Sequence, residues 1–203
     1  MDRIDRLDEI FRPVCESTHC GRKRRATLEE VVMLSVELAR EGREGRKIGT
    51  MFVVGDVDEV SERSRPLLLD PLYGHPAELR HVSLPEFRET VKELAQLDGA
   101  FLVSDDGTFV SAGRYVDVEL SGDNFLGGLG TRHAAAASIS AVTGAIPVVV
   151  SQSSIVRVFA EGEVRAEIVP ELFLMSRERL YARDAAVQQV PEAGLTLAVS
   201  REA

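Results

Sequence analysis

The N-terminal part of the chain carries apolar residues at helical spacing. Helices are predicted over residues 5–14 and 27–41. The second has a wide apolar face formed by Leu28, Val31, Val32, Leu34, Val36 and Leu38. Thr27 is a candidate N-cap, and Gly42 can end the helix. The basic run between the two helices, residues 21–25, is interpreted as a solvated turn, with contact to phosphate as the alternative.

After residue 47, short β-branched segments alternate with helical ones. Residues 48–54 form an apolar run typical of a buried strand, and residues 100–103 and 108–112 flank a turn typical of a β-hairpin. Residues 65–76 are predicted as a loop. Further strands are predicted at residues 115–120, 146–151, 155–160 and 164–168, and further helices at residues 84–97, 131–142 and 171–183. This mixed order predicts an α/β fold, with a central mixed sheet flanked by helices and a helical N-terminal extension.

Composition narrows the class of protein. With 44% hydrophobic and 28% charged residues the chain is typical of soluble globular proteins, and we expect a cytoplasmic protein without a membrane segment. The 33 acidic and 24 basic residues give a net charge of -9. That charge argues against broad nucleic-acid binding, which depends on many basic contacts. A polyanionic ligand would therefore have to be met by a local group of cations.

The segment from residue 127 to residue 137 is the richest in candidate chemistry. It reads Gly-Gly-Leu-Gly-Thr-Arg-His followed by four alanines, so glycines lead directly into a predicted helix. The start of a helix binds anions through free N–H groups, and Thr131, Arg132 and His133 add a hydroxyl, a forked cation and an imidazole. The spacing fits neither the P-loop nor the dinucleotide fingerprint. An ordinary tight turn is the alternative to phosphate binding.

Two smaller groups of residues have candidate chemistry of their own. Asp98, at the junction of a predicted helix and strand, could hold a divalent metal that bridges to a nucleotide phosphate. With Gly99 it is also a common turn pair, and from these two residues alone the turn is favoured. Cys15, His19 and Cys20 supply only three zinc ligands, so a pair of ordinary cysteines without a disulfide framework is favoured there.

Taken together, three motifs of this chain resemble the diadenylate cyclase (DAC) domain family, in its archaeal branch. They are Asp-Gly-Ala at residues 98–100, Gly-Thr-Arg-His at residues 130–133 and the strand end at residues 148–153. Bacterial members continue Arg-His-Arg, whereas this chain has Ala134 after the histidine. The resemblance runs from about residue 45 to residue 162. It divides the chain into a helical extension at residues 1–45, a catalytic domain at residues 46–169 and a C-terminal helix and tail at residues 170–203.

The resemblance implies condensation of two ATP molecules into cyclic di-AMP, with release of two pyrophosphates, between two facing protomers of a homo-oligomer. It implies Asp98 and His133 as catalytic residues that also bind a divalent metal, Mn²⁺ or Mg²⁺. The nucleotide-binding residues that it implies are Leu97, Gly99, Ala100, Val118, Gly130, Thr131, Arg132 and Ser151. Gln152 stands where many members have a glutamate near the metal.

Two other functions compete with this one. A non-catalytic module that binds ATP or cyclic di-AMP would use the same glycine-rich turn. Asp98 favours the enzyme, because a binder could dispense with a metal-holding carboxylate. A structural partner of a membrane or nucleic-acid complex would depend on the basic run at residues 22–25 alone, and the net charge disfavours it.

Overall fold

The computed structural model describes residues 11, 14–15, 18, 20–67, 69–117 and 130–170, and the backbone of residues 185–190 and 195–200. The chain divides into two compact units, residues 1–170 and 171–203. The described helices of the first unit are α1 (Arg22–Glu41), α2 (Val57–Glu62), α3 (Pro85–Leu94) and α4 (Thr131–Val142), with a 3₁₀ turn at Ala77–Leu79. Its strands are β1 (Thr50–Val54), β2 (Ser64–Pro66), β3 (Ala100–Val103), β4 (Phe109–Val116), β5 (Ile146–Val150), β6 (Val156–Ala160) and β7 (Glu163–Ile168). The second unit contains an antiparallel pair, β8 (Ala185–Val190) and β9 (Leu195–Ser200).

The seven strands of the first unit form one sheet in the order β2-β4-β3-β1-β5-β6-β7. β1 and β3 run parallel, and the other neighbouring strands are antiparallel. The predicted mixed sheet is therefore confirmed. Because β1 and β3 are parallel, both begin at the same edge, and β5, antiparallel to β1, ends there. This edge brings together the residues that precede β1 and β3 and those that follow β5.

Helices cover both faces of the sheet. On one face, α4 packs Ala135, Ala136 and Ile139 against side chains of the sheet that include Met51, Leu102, Val149 and Phe159. On the other face, four aromatic rings stack or meet edge to face with centroids 5.1 to 6.0 Å apart: Phe52, Phe87, Phe101 and Phe109. α1 lies beside α3, because Arg88 of α3 pairs with Glu30 and Glu37 of α1. The described helices include none long and apolar enough to cross a membrane.

The start of α1 differs from the prediction. The helix begins at Arg22, so the basic run interpreted as a turn is its first turn, and Gly21 is the N-cap. Thr27 is buried inside the helix and donates its hydroxyl to the carbonyl oxygen of Asp105 at 2.9 Å. Arg24 explains the early start, because its guanidinium bonds Asp56 and Asp105 and so holds this turn against the sheet.

Other predicted elements need correction as well. The strand predicted at residues 115–120 is not separate within the described residues, because β4 continues to Val116 and pairs with both β3 and β2. α2, β2, β8 and β9 were not predicted, and β2 overlaps the start of the loop predicted at residues 65–76. Cys15 and Cys20 form a disulfide, so the interpretation as ordinary cysteines is wrong. The helices predicted at residues 5–14 and 171–183 lie wholly or largely outside the described residues.

Candidate functional site

The start of α4 meets the edge of the sheet at which β1 and β3 begin. Arg132 donates from Nη2 to Asp98 Oδ1 at 2.7 Å. A Cβ built on Gly49 would stand 3.0 Å from Arg132 Nη1 and 3.2 Å from Gln152 Cγ. Four segments therefore meet here: those before β1, before β3, after β5 and at the start of α4. The Asp-Gly-Ala and Gly-Thr-Arg-His motifs, 30 residues apart in sequence, are neighbours in space.

The position of Asp98 depends on the backbone conformation of the next residue, Gly99. Gly99 has a φ of +109°, which L side chains rarely adopt, and a Cβ on it would lie 2.6 Å from the carbonyl carbon of Gly113. The glycine thus allows close approach of the chain to β4 just before β3 begins. Ala100 is buried in the sheet, while Leu97 and Asp98 remain exposed, the Asp98 side chain by 75%. The carboxylate is open to solvent and to a ligand.

The N-terminus of α4 offers donors for an anion. Its N-cap, Gly130, is extended and has no side chain that could cap the helix. The first N–H groups of a helix lack partners inside the helix, so they can donate to a ligand. The hydroxyl of Thr131 is exposed at the first helical position. Together with the Arg132 guanidinium, which pairs with Asp98, these donors can bind an anion at the start of α4.

His133 is buried at the third position of α4, where it contacts a second arginine. Its Nε2 lies 3.1 Å from Arg157 Nη1, and its ring centroid is 6.1 Å from that of Phe159. Arg157 in turn donates from Nε to Glu167 Oε2 at 2.7 Å. Burial lowers the pKa of His133, and the charges of Arg157 and Arg132 lower it further, against a smaller opposing effect of Glu167. The imidazole is therefore neutral near pH 7.

Ser151 follows the end of β5, at the edge of the sheet where β1 and β3 begin. Its hydroxyl oxygen accepts a hydrogen bond from the Ile155 N–H at 3.1 Å and lies 2.7 Å from the Ser153 hydroxyl. These contacts shape the turn between β5 and β6, and the side chain remains partly exposed. Val118, another predicted nucleotide-binding residue, lies outside the described residues, as do residues 127–129.

The donor groups can be tested against the expected divalent ion. Within the described part of the chain, no three His, Cys, Asp or Glu side chains gather into a metal site. Asp98 alone nevertheless fits, because Mg²⁺ commonly takes one or two carboxylates and completes its shell with water and substrate phosphates. Arg132 engages only Oδ1 of that carboxylate. His133 fits less well, since Arg157 already occupies its Nε2.

Arg157 and Glu167 extend the candidate site beyond the residues that the sequence motifs supply, because Arg157 contacts both His133 and Glu167. Both lie outside the glycine-rich and Asp-Gly-Ala segments, on the adjacent strands β6 and β7, where they are cross-strand partners. A signal does exist in the sequence, because Arg157 is the one charged residue within the apolar run 155–160. A charge in a buried strand needs a partner, which a search for motifs does not reveal.

Comparisons with known proteins add to this geometry. Residues 37–164 match the family described as DAC, DisA bacterial checkpoint controller nucleotide-binding. A diadenylate cyclase of Methanocaldococcus jannaschii is 49% identical over 166 residues, which cover 81% of this chain and 50% of that protein. A diadenylate cyclase of Haloferax volcanii is 38% identical over 149 residues, covering 72% of this chain and 54% of that protein. The chain thus spans about half the length of the curated relatives it matches.

A solved structure shares the fold. It is that of a hypothetical membrane-spanning protein from Bacillus cereus, with a TM-score of 0.52 and 20% sequence identity. The match covers 68% of this chain and 61% of that one. At this identity the likeness supports the α/β fold alone.

Proposed function

This chain belongs to the DAC family, and we propose that it condenses two ATP molecules into cyclic di-AMP with release of two pyrophosphates. The observation that carries the proposal is the 2.7 Å contact between Asp98 and Arg132. This contact joins the carboxylate of one signature motif to the arginine of the other, which supports a shared site. Both curated relatives are named diadenylate cyclases.

Each half-reaction forms one phosphodiester bond. The 3′-hydroxyl oxygen of one ATP attacks the α-phosphorus of the other, the bond to pyrophosphate breaks, and the hydroxyl proton is lost. A second, reciprocal attack closes the ring. Because one site holds one ATP, two protomers of a homo-oligomer must face each other for both attacks to occur.

Each residue of the candidate site would have its own role in this reaction. The helix start with Thr131 would hold the triphosphate, and Arg132 would turn from Asp98 to the phosphates and stabilise the leaving pyrophosphate. Ser151 would donate to a phosphate oxygen. Gly99 and Ala100 would contact the nucleotide through the backbone, and Leu97 and Val118 would border the adenine.

A divalent ion completes the proposal. Asp98 would hold Mg²⁺ or Mn²⁺. His133, the second ligand that the resemblance implies, fits less well because Arg157 occupies its Nε2. When bound, the ion would polarise the α-phosphate and lower the pKa of the attacking hydroxyl. Asp98 would thereby fix where the α-phosphate lies relative to the helix start.

The experiment is direct. Purified protein is incubated with ATP and either Mg²⁺ or Mn²⁺, and the nucleotides are separated by chromatography. We expect cyclic di-AMP and pyrophosphate in a ratio of one to two. Binding of ATP without any dinucleotide under either ion would instead favour the non-catalytic module. Size measurement of the same sample tests the homo-oligomer.

A further inference from the structure

The hydrogen bond between Arg157 and His133 fixes which ring nitrogen carries the proton. A guanidinium can only donate, so His133 Nε2, 3.1 Å from Arg157 Nη1, must be the acceptor. A neutral imidazole that accepts at Nε2 has its proton on Nδ1. None of the described residues forms a hydrogen bond with Nδ1. Within the part of the chain that the structure describes, Arg157 thus contacts one ring nitrogen, and the other carries the proton.

Arg157 is itself held in place. It lies opposite Glu167 in the register of β6 and β7, and its Nε donates to that carboxylate at 2.7 Å. The Arg157 side chain is only 13% exposed, whereas that of Glu167 is 49% exposed. An arginine that is largely shielded from solvent and shared between a carboxylate and an imidazole has little freedom to leave either one.

We propose that Arg157 is a positioning residue of the nucleotide site, which holds the His133 ring at the start of α4 with Nε2 as acceptor. The proposal rests on the proposed function for its ligand. It assigns His133 a different role from metal binding through Nε2, because a metal there would have to displace Arg157. Glu167 acts one step further away by orienting Arg157.

The test combines a spectroscopic and a kinetic measurement on the full chain. The chain has four histidines, and in ¹⁵N-histidine-labelled protein the signals of His133 are assigned from their loss in His133→Asn. We expect long-range ¹H–¹⁵N spectra to show a protonated Nδ1 and a bare Nε2. In Arg157→Gln the proton should move to Nε2 or divide between the nitrogens. Arg165→Gln is the matched control, because Arg165 on β7 pairs with Glu161 and Glu163 instead.

The kinetic result should follow the spectrum. Loss of a residue that orients a metal-binding histidine commonly costs about 10- to 100-fold in activity. We expect a loss of that order in kcat of Arg157→Gln, with KM for ATP nearly unchanged, because Arg157 would act through His133 and not on the nucleotide. Glu167→Gln, at a half-exposed position, should lower kcat less and in the same direction. It replaces Arg157→Gln if that variant does not fold.

Three results would overturn the proposal. The first is a proton on Nε2 in the unmodified protein, and the second is a variant that matches Arg165→Gln in both spectrum and kcat. The third is a rise in KM alone, which would make Arg157 a direct nucleotide contact. If the unmodified protein forms no cyclic di-AMP, the proposed function fails, while the spectra still decide whether Arg157 holds His133.

Discussion

Asp98 Oδ1 accepts a hydrogen bond from Arg132 Nη2 across 2.7 Å, between the loop before β3 and the first turn of α4. Both side chains are at least partly exposed, at 75% and 35%, so the pair contributes little to folding stability. The pair matters because it holds the two charged groups next to each other. Each partner can exchange the other for a ligand of opposite charge. Three predictions concern the function of this edge of the sheet.

Asp98→Asn should abolish turnover while ATP binding persists. The amide keeps the size of the side chain but loses the charge that a divalent ion needs, and we expect kcat to fall by about 1,000-fold. Nucleotide binding should survive because the helix start and Arg132 are intact. Turnover is measured by chromatography and binding by calorimetry. Asp58→Asn, an exposed carboxylate on α2, is the control and should behave as the unmodified protein.

Arg132→Ala should weaken catalysis more than Arg132→Lys. Alanine removes a forked, charged donor from the helix start, and kcat/KM should fall by about 100-fold. Lysine keeps the charge without the fork and should recover part of the loss. Steady-state kinetics of both variants test this, with Arg22→Ala on the exposed first turn of α1 as control. If both variants lose activity equally, a positive charge without the forked guanidinium does not support catalysis.

Gly99→Ala should destabilise the fold as well as the site. The residue combines a φ of +109° with a Cβ position 2.6 Å from the backbone of Gly113, and we expect a loss of about 3 kcal/mol or more in the free energy of unfolding. Gly74→Ala is the matched control, with a φ of +80° and open space around the Cβ, and should cost about 1 kcal/mol. Urea unfolding of both variants measures the difference. Similar losses would mean that Gly113 can move away.

The sequence predicts the strands near the site well, because β1, β3 and β5 are short apolar runs bounded by turn residues. It also predicts α4, whose bounds match the prediction at both ends. The sequence is a poor guide to the bounds of an element that is held by side chains far away in the chain. The first turn of α1 is an example, since the bonds from Arg24 to Asp56 and Asp105 span 32 and 81 residues.

Arg24 should therefore matter for stability although it lies away from the proposed site. It bonds Asp56, Asp105 and the carbonyl oxygen of Gly144, and its side chain is 12% exposed. Arg24→Met would remove the guanidinium from these acceptors, although Asp56 would keep the hydrogen bond from the Gly144 N–H. We expect a loss of about 2–3 kcal/mol, reduced from the value for fully buried pairs because Asp105 is half exposed. Thermal unfolding measures it. Arg40→Met, which removes an exposed pair with Glu41, should have almost no effect.

His133 should make stability depend on pH below neutrality. Burial and the two neighbouring arginines lower the pKa of the folded imidazole, whereas in the unfolded chain it is about 6.5. Above that value the ring is neutral in both states and contributes nothing. As the pH falls through it, the unfolded state binds a proton that the folded state does not, so stability is lost.

The dependence can be measured by urea unfolding at about pH 7.5 and about pH 5.5, in the unmodified protein and in His133→Asn. Each unit by which the folded pKa is lowered contributes at most about 1.4 kcal/mol to the loss. The asparagine variant lacks this contribution, so its stability should fall less between the two pH values, while carboxylates affect both proteins alike. His75→Asn, which changes an exposed histidine, should lose as much as the unmodified protein. Parallel losses in the unmodified protein and His133→Asn would contradict a neutral His133 held against Arg157.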